Sequence, residues 1–228
     1  MKRSEINELM RETVAFIKQY NFHLPPFAFW TPAQWATKGS EADEIRECML
    51  GWDLTDFGLG KFHEMGLTMF TIRNGHMKNP AYGKPYCEKL LIVEEEQITL
   101  MHFHWNKAED IINRSGGNLI VQVYNSTGDE GLADTDVTVT TDGVSRTVKA
   151  GDTIRLEPGE SIFLPGRMYH KFWGEKGNGK VLVGEVSKVN DDNTDNRFYD
   201  PVGRFPTIEE DEDPLYLLFS EYPARAQA

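Results

Sequence analysis

The sequence predicts a mainly β protein: a sandwich or barrel of short strands with a helical and irregular N-terminal extension. Three observations carry this. The first twenty residues hold a sustained helical period. From Lys89 onward, runs of four to nine residues alternate with Gly, Asp, Asn and Pro signals. Between these regions the chain is too rich in aromatics to be a flexible linker.

In chain order, Ile6, Met10, Val14 and Ile17 make one apolar face of the first helix, with Ser4 as its expected cap. From Asn21 to about Tyr86 the pattern is irregular, with Trp30, Trp35, Trp52, Pro25-Pro26 and the turn signal Asn74-Gly75. A short helix is expected around Ser40 to Leu50. Strands are expected at Lys89 to Val93, Gln97 to Trp105, Asn118 to Tyr124, Asp136 to Thr140, Ser145 to Lys149, Thr153 to Leu156, Ser161 to Leu164 and Val181 to Val186. Asp142-Gly143 marks a hairpin and Glu157-Pro-Gly159 a turn. The acidic run Glu209 to Asp213 reads as solvated charge, followed by the apolar Leu215 to Phe219. The expected organisation is one domain: extension over 1–86, β core over 87–190, polar segment and tail over 191–228.

The chain has 228 residues, with 24 Lys+Arg against 36 Asp+Glu, a formal charge of −12. That balance argues against nucleic acid and anionic membrane as partners, which need clustered Lys and Arg. No apolar run approaches the ~18 residues of a membrane span. Cys48 and Cys87 form no CxxC and read as free thiols of a reducing compartment. The opening MKRSEINELM runs into a polar helix rather than an apolar signal region, so the expected location is cytoplasmic.

The chemistry lies in His102-Phe-His104. Residues two apart on a strand share a face, so both imidazoles project together. Glu109 follows five residues later, beyond the expected end of that strand. Two histidines and a carboxylate with open positions suit a catalytic divalent metal. The spacing His102-x-His104-x4-Glu109-x6-Gly116 resembles the first motif of the cupin superfamily, and Gly159-x5-Pro165 followed by His170 resembles the second. Three positions depart from the pattern: Glu96 stands for a Gly, Gly166 follows the proline directly, and Gly174 replaces the terminal Asn. The resemblance implies a jelly-roll β-barrel in which His102, His104, Glu109 and His170 hold the metal. Mn²⁺ or Fe²⁺ suits this donor set, with Zn²⁺, Co²⁺ and Ni²⁺ as alternatives. His23, His63 and His76 read as surface or core residues rather than ligands.

Glu88-Lys-Leu-Leu-Ile-Val93, Met101 to Asn113, Gly184 to Asp191, Asn196 to Pro201 and Arg204-Phe-Pro206 closely resemble the D-lyxose ketol-isomerase family over nearly the whole chain. The resemblance implies a Mn²⁺-dependent, usually dimeric enzyme interconverting D-lyxose with D-xylulose and D-mannose with D-fructose. Such a reaction needs a proton carrier beside the metal. Glu185, on the same strand face as Val181 and Val183, is one candidate, since a carboxylate there is costly unless used or paired. Lys107 and Glu109 are the others, and the choice of base stays open. Lys89, Lys107, Phe172, Asp191 and Arg204 are candidate substrate contacts, with Asp192 beside them. The rival readings are a phosphosugar isomerase, an iron-dependent cupin dioxygenase and a non-catalytic sugar-binding cupin. Folding could bring Lys89, Lys107 and Arg204 together as a phosphate site.

Overall fold

In the computed structural model, which describes residues 1–225, the first helix, α1, spans Arg3–Gln19. Ser4, expected to cap it, is its second residue; Lys2 takes the cap position. The capping oxygens come from far along the chain. Asp211 accepts from the Ser4 backbone N–H at 2.9 Å and from the Ser4 hydroxyl at 2.8 Å. Glu210 and Glu221 grip the buried guanidinium of Arg3, and Glu212 and the carbonyl of Asp213 accept from Asn7. The Glu209–Asp213 run is therefore not the solvated fringe its sequence suggests. It sits where unpaired N–H groups and the helix dipole favour negative charge.

Thirteen strands are seen among the described residues: β1 (Gly51–Thr55), β2 (Leu67–Arg73), β3 (Tyr86–Val93), β4 (Thr99–His104), β5 (Glu109–Gly116), β6 (Leu119–Asn125), β7 (Val137–Thr141), β8 (Val144–Val148), β9 (Thr153–Leu156), β10 (Ser161–Leu164), β11 (Met168–Gly174), β12 (Val181–Lys188) and β13 (Asn196–Phe198). They form two antiparallel sheets, one ordered β1-β2-β3-β12-β5-β10-β7-β8 and the other β13-β4-β11-β6-β9. This is the expected mainly β architecture, a sandwich of short antiparallel strands with a helical N-terminal extension. All eight expected strands are present, with ends shifted by two residues or fewer except at the start of β3. Asp142 and Gly143 both take positive φ, 50° and 82°, in the two-residue loop between β7 and β8, as a type I′ hairpin turn requires.

Five strands lie outside the expectation. β1 and β2 fall in the aromatic-rich region and are buried on both faces, so neither shows alternation. β5 and β11 begin at or just before predicted site residues, and β13 is only three residues long, which makes the fifth unannounced strand.

Two cores result, one on each face of the larger sheet. Leu91, Val93, Ile111, Val181 and Val183 point between the sheets toward Val121, Val123 and Phe172. Leu90, Ile92 and Leu182 point outward and pack with Trp52, Leu54 and Phe70 against Ile6, Leu9, Met10 and Ile17 of α1. β3 is thus covered on both sides, which is why Lys-Leu-Leu-Ile-Val reads as an unbroken apolar run after its lysine. The alternation also fixes where that lysine goes. Lys89 shares its face with Leu91 and Val93, so it points into the barrel.

Candidate metal centre

His102 and His104 sit two residues apart on β4, and both are buried. β11 pairs beside β4 with His170 directly opposite His102. After the four-residue turn 105–108 the chain re-enters the larger sheet at Glu109, the first residue of β5. The four side chains meet at one place. The donor atoms of the three histidines lie within 4.8 Å of one another. Glu109 Oε1 stands 3.3 Å from His104 Nε2 and 3.1 Å from His170 Nε2.

The fit to a cation rests on the hydrogen bonds. His102 Nδ1 lies 2.7 Å from the carbonyl of Leu100, and His170 Nδ1 lies 3.0 Å from that of Met168. Each carbonyl can only accept, so it holds the proton on Nδ1 and leaves Nε2 with a bare lone pair. Glu109 Oε1 and His170 Nε2 are both buried without a hydrogen-bond partner. Two lone-pair atoms facing each other at 3.1 Å are costly alone and are resolved by a shared cation. The ionisation states agree. Burial, with the two neighbouring imidazoles, holds His102 well below its ordinary value, and burial with Lys107 lowers His104. Burial opposes ionisation of Glu109, but Lys107 and His104 outweigh it and keep its carboxyl well below the usual range. Neutral imidazoles, as at His102 and His104, beside an ionised carboxylate are the state in which a divalent metal is bound. Among the described residues, these histidines form the one such cluster. His63 instead contacts Glu94 at the surface, and His76 accepts from the backbone N–H groups of Lys78 and Asn79.

Around this centre the charges alternate. Lys107 Nζ lies 2.7 Å from Glu109 Oε2 and 2.8 Å from Glu185 Oε1. Lys89, directly across from Glu185 in the β3–β12 ladder, lies 3.7 Å from Glu185 and 2.9 Å from Asp192. Arg204 follows, 3.8 Å from Asp192 and paired with Asp53 of β1. Burial works against every charge here, yet Glu109, Glu185 and Asp192 hold the Lys107 ammonium above its ordinary value. Burial likewise raises Asp192, but Lys89, Arg204 and Lys107 together bring it well below the aspartate range. The row holds four carboxylates and three cations, with one negative charge left over to meet a cation.

One pocket is lined by His102, His104, Glu109 and His170 together with Lys89, Lys107, Phe172, Glu185, Asp192 and Arg204. Phe172 is both a pocket wall and a member of the inter-sheet core. Asp191 does not line the pocket: its carboxylate accepts from the Asn193 N–H, and Asp192 is the aspartate that reaches inside. Phe57, Asn196 and Phe198 also line it without having been assigned roles from the sequence, and Asp53 joins it only through Arg204. Phe198 lies 5.6 Å, ring to ring, from His102. A carboxylate between the apolar Trp52 and Leu54 is the one local sign of Asp53, which is buried.

A family model described as D-lyxose isomerase matches residues 1–222. The chain is 52% identical over 223 residues to a D-lyxose/D-mannose isomerase of Serratia proteamaculans, covering 97% of this chain and 98% of that one. It is 51% identical, with the same coverage, to a D-lyxose/D-mannose isomerase of Escherichia coli O157:H7. Among solved structures it resembles an L-ribose isomerase of Acinetobacter sp. DL28 in complex with L-ribose, with TM-score 0.61, 15% identity, and coverage of 92% of this chain and 98% of the other. An L-ribose isomerase of Cellulomonas parahominis without ligand matches at TM-score 0.58 and 17% identity over the same shares. At such identities the structural likeness speaks of fold alone.

Proposed function

Because the chain belongs to the D-lyxose isomerase family, we propose that it is a sugar isomerase interconverting D-lyxose with D-xylulose and D-mannose with D-fructose. The observation that carries this reading is the Lys107–Glu185 ion pair set beside a three-imidazole, one-carboxylate donor set in one pocket. His102, His104, Glu109 and His170 would hold a divalent cation, Mn²⁺ by the family resemblance, which would supply Lewis acidity to the sugar. The remaining chemistry belongs to the chain.

Glu185 takes the proton from C2 of the aldose. Its contacts with Lys107, Ser187 and Lys89 all fall on Oε1, which leaves Oε2 for the substrate. The freed C–H electron pair forms the C1–C2 double bond, and the carbonyl pair moves onto O1 to give an enediolate. The O2 proton passes to O1, the O2 pair forms the new C2 carbonyl, and the C1–C2 π pair takes back at C1 the proton held by Glu185. Nothing is oxidised or reduced overall, so no co-reactant is needed. Lys107 balances the negative charge that develops beside it. Lys89, Asp192 and Arg204 offer hydrogen bonds to hydroxyls, and Phe172 and Phe198 exclude water.

An uncharged sugar is favoured over its phosphate by the charge alternation. Lys89, Lys107 and Arg204 do converge, but each lies between carboxylates. A phosphate entering there would meet Glu185, Asp192 and Asp53 as well. Buried free Cys48 and Cys87 fit a reducing, cytoplasmic setting, and the family resemblance supports a homodimer, which sedimentation would test.

The test is to incubate protein stripped of metal, and the same protein reloaded with Mn²⁺, with D-lyxose, D-mannose, D-xylose and mannose 6-phosphate. Ketose should form from the first two, only after reloading and without oxygen uptake. Full turnover in rigorously metal-free protein, or oxygen consumption, would overturn the reading.

A further inference from the structure

We infer that Asp195 is a positioning residue: its carboxylate holds the middle of the turn 105–108 so that the Lys107 ammonium stays between Glu109 and Glu185. Asp195 is 4% exposed and does not line the pocket. Its Oδ1 accepts from the backbone N–H of Asn106 at 3.0 Å and from the Asn106 side-chain amide at 3.1 Å. Its Oδ2 accepts from the backbone N–H of Lys107 at 3.0 Å. Its own carbonyl accepts from Trp105 N–H at 3.1 Å. Among the described residues it forms no salt bridge, so its buried charge is met by N–H groups of one turn. A carboxylate that accepts three such bonds is strongly committed to its place.

The rest of the turn is held elsewhere. At its start the His104 carbonyl accepts from Arg167 N–H at 2.8 Å, and at its end the Ala108 carbonyl accepts from Lys188 N–H at 3.1 Å. Gly166 lets the strand-to-strand corner pass beneath: a Cβ there would stand 3.3 Å from the Trp105 carbonyl and 3.6 Å from that of Lys107. These contacts pin the two metal-ligand ends and leave Asn106 and Lys107 between them to Asp195. The same residue closes a second turn. Its N–H donates to the Asp191 carbonyl at 3.0 Å, and the Asn196 side chain donates to the Asp192 carbonyl at 3.0 Å. Asp195 thereby sets the segment carrying Lys107 against the segment carrying Asp192, two charges that share one pocket.

The inference rests on the role given to Lys107 under the proposed function. A displacement of about 1 Å at a reacting group can cost about 100-fold in rate. In Asp195→Asn the amide can place an oxygen at one of the two acceptor positions, and an NH₂ at the other would face an N–H donor. The experiment compares the Mn²⁺-loaded wild type, Asp195→Asn, Lys107→Met and the double variant, measuring kcat, KM, bound metal, and acylation of Lys107 by acetic anhydride, read by peptide mass spectrometry. Asp195→Asn should lower kcat by about 10–100-fold with KM within about threefold and metal content unchanged. Acylation of Lys107 should rise while that of surface lysines stays constant. In the Lys107→Met background the same change should cost less than about threefold, because its effect runs through the missing ammonium. Equal losses in both backgrounds, or unchanged Lys107 acylation, would overturn the inference. Full turnover by Lys107→Met would instead remove the role of Lys107 in the reaction, and the acylation result would still decide whether Asp195 positions it. If Asp195→Asn does not fold, Asn106→Asp sets a second carboxylate against Asp195 and opens the clamp without deleting it; the same acylation readout and the same reversal apply.

Discussion

Methionine in place of Lys107 keeps an apolar stem and deletes the ammonium that separates two buried carboxylates. The distances to Glu109 and Glu185 are 2.7 and 2.8 Å. At an effective dielectric of about 20, each contact is worth about 6 kcal/mol of Coulomb attraction. Taking the ammonium out of water offsets much of that, and breaking a buried pair by deleting one partner typically costs about 3–5 kcal/mol. For a chain of this length about 1 kcal/mol moves Tm by about 2–4 °C, so metal-free Lys107→Met should melt about 6–20 °C below metal-free wild type. With Mn²⁺ bound the gap should narrow, because the cation opposes the Glu109 charge that Lys107 no longer balances. Turnover of the loaded variant should fall by about 10²–10³ in kcat, the usual cost of one preorganised electrostatic group. Thermal unfolding followed by circular dichroism in EDTA and in Mn²⁺, with initial rates on D-lyxose, checks all three. A metal-free Tm within about 2 °C of wild type, or a gap that does not shrink with Mn²⁺, would refute the reasoning.

Glu109→Gln and His170→Ala should each lower bound metal and turnover together, by elemental analysis and rate assay; full metal occupancy in both would contradict the ligand set. Asp192 has a folded-state pKa below its unfolded value of about 3.9, so below about pH 5 the unfolded chain binds the extra proton and stability falls as pH drops. Asp192→Asn should lose that part of the acid slope in urea titrations between about pH 3 and 5, and an unchanged slope would show that Asp192 does not contribute. Arg3→Ala removes charge-assisted hydrogen bonds to Glu210 and Glu221, a loss of about 1.5–3 kcal/mol, or about 3–12 °C in Tm. Its kcat measured well below the transition should match wild type, since Arg3 lies on the far side of the larger sheet from the pocket.

The parts of the site that were legible in the sequence are those set by short-range geometry. Period-two alternation puts His102 with His104 on β4, and Glu185 with Val181 and Val183 on β12. Spacing and family pattern together single out Glu109 and His170. The parts that were not legible depend on register across distant strands. Nothing local to Lys89 says that Glu185 is its cross-strand partner, 96 positions away by number. Asp195 is one acid in a polar stretch, and its role exists only because backbone N–H groups 88 and 89 residues earlier face it. Asp191 and Asp192 are indistinguishable by composition, and only the turn decides which one enters the pocket. β1 and β2 escaped because burial on both faces erases the alternation that announces a strand. The acidic run misled for the opposite reason: five consecutive polar positions look solvated until a helix end is brought to them.

That latch between α1 and residues 209–221 has a consequence for how the chain is made. Its contacts join positions 207 and 218 residues apart. At synthesis rates of about 5–20 residues per second, α1 waits about 10–40 s after emerging before its capping acids exist. Through that interval Arg3 has no counter-charge, and the apolar face of Ile6, Met10 and Ile17 has only a partial sheet to cover it, because β12 also arrives late. A ribosome stalled before residue 209 would carry a nearly complete barrel with its first helix unlatched, and quality-control factors that bind exposed apolar helices would have an address on every such chain.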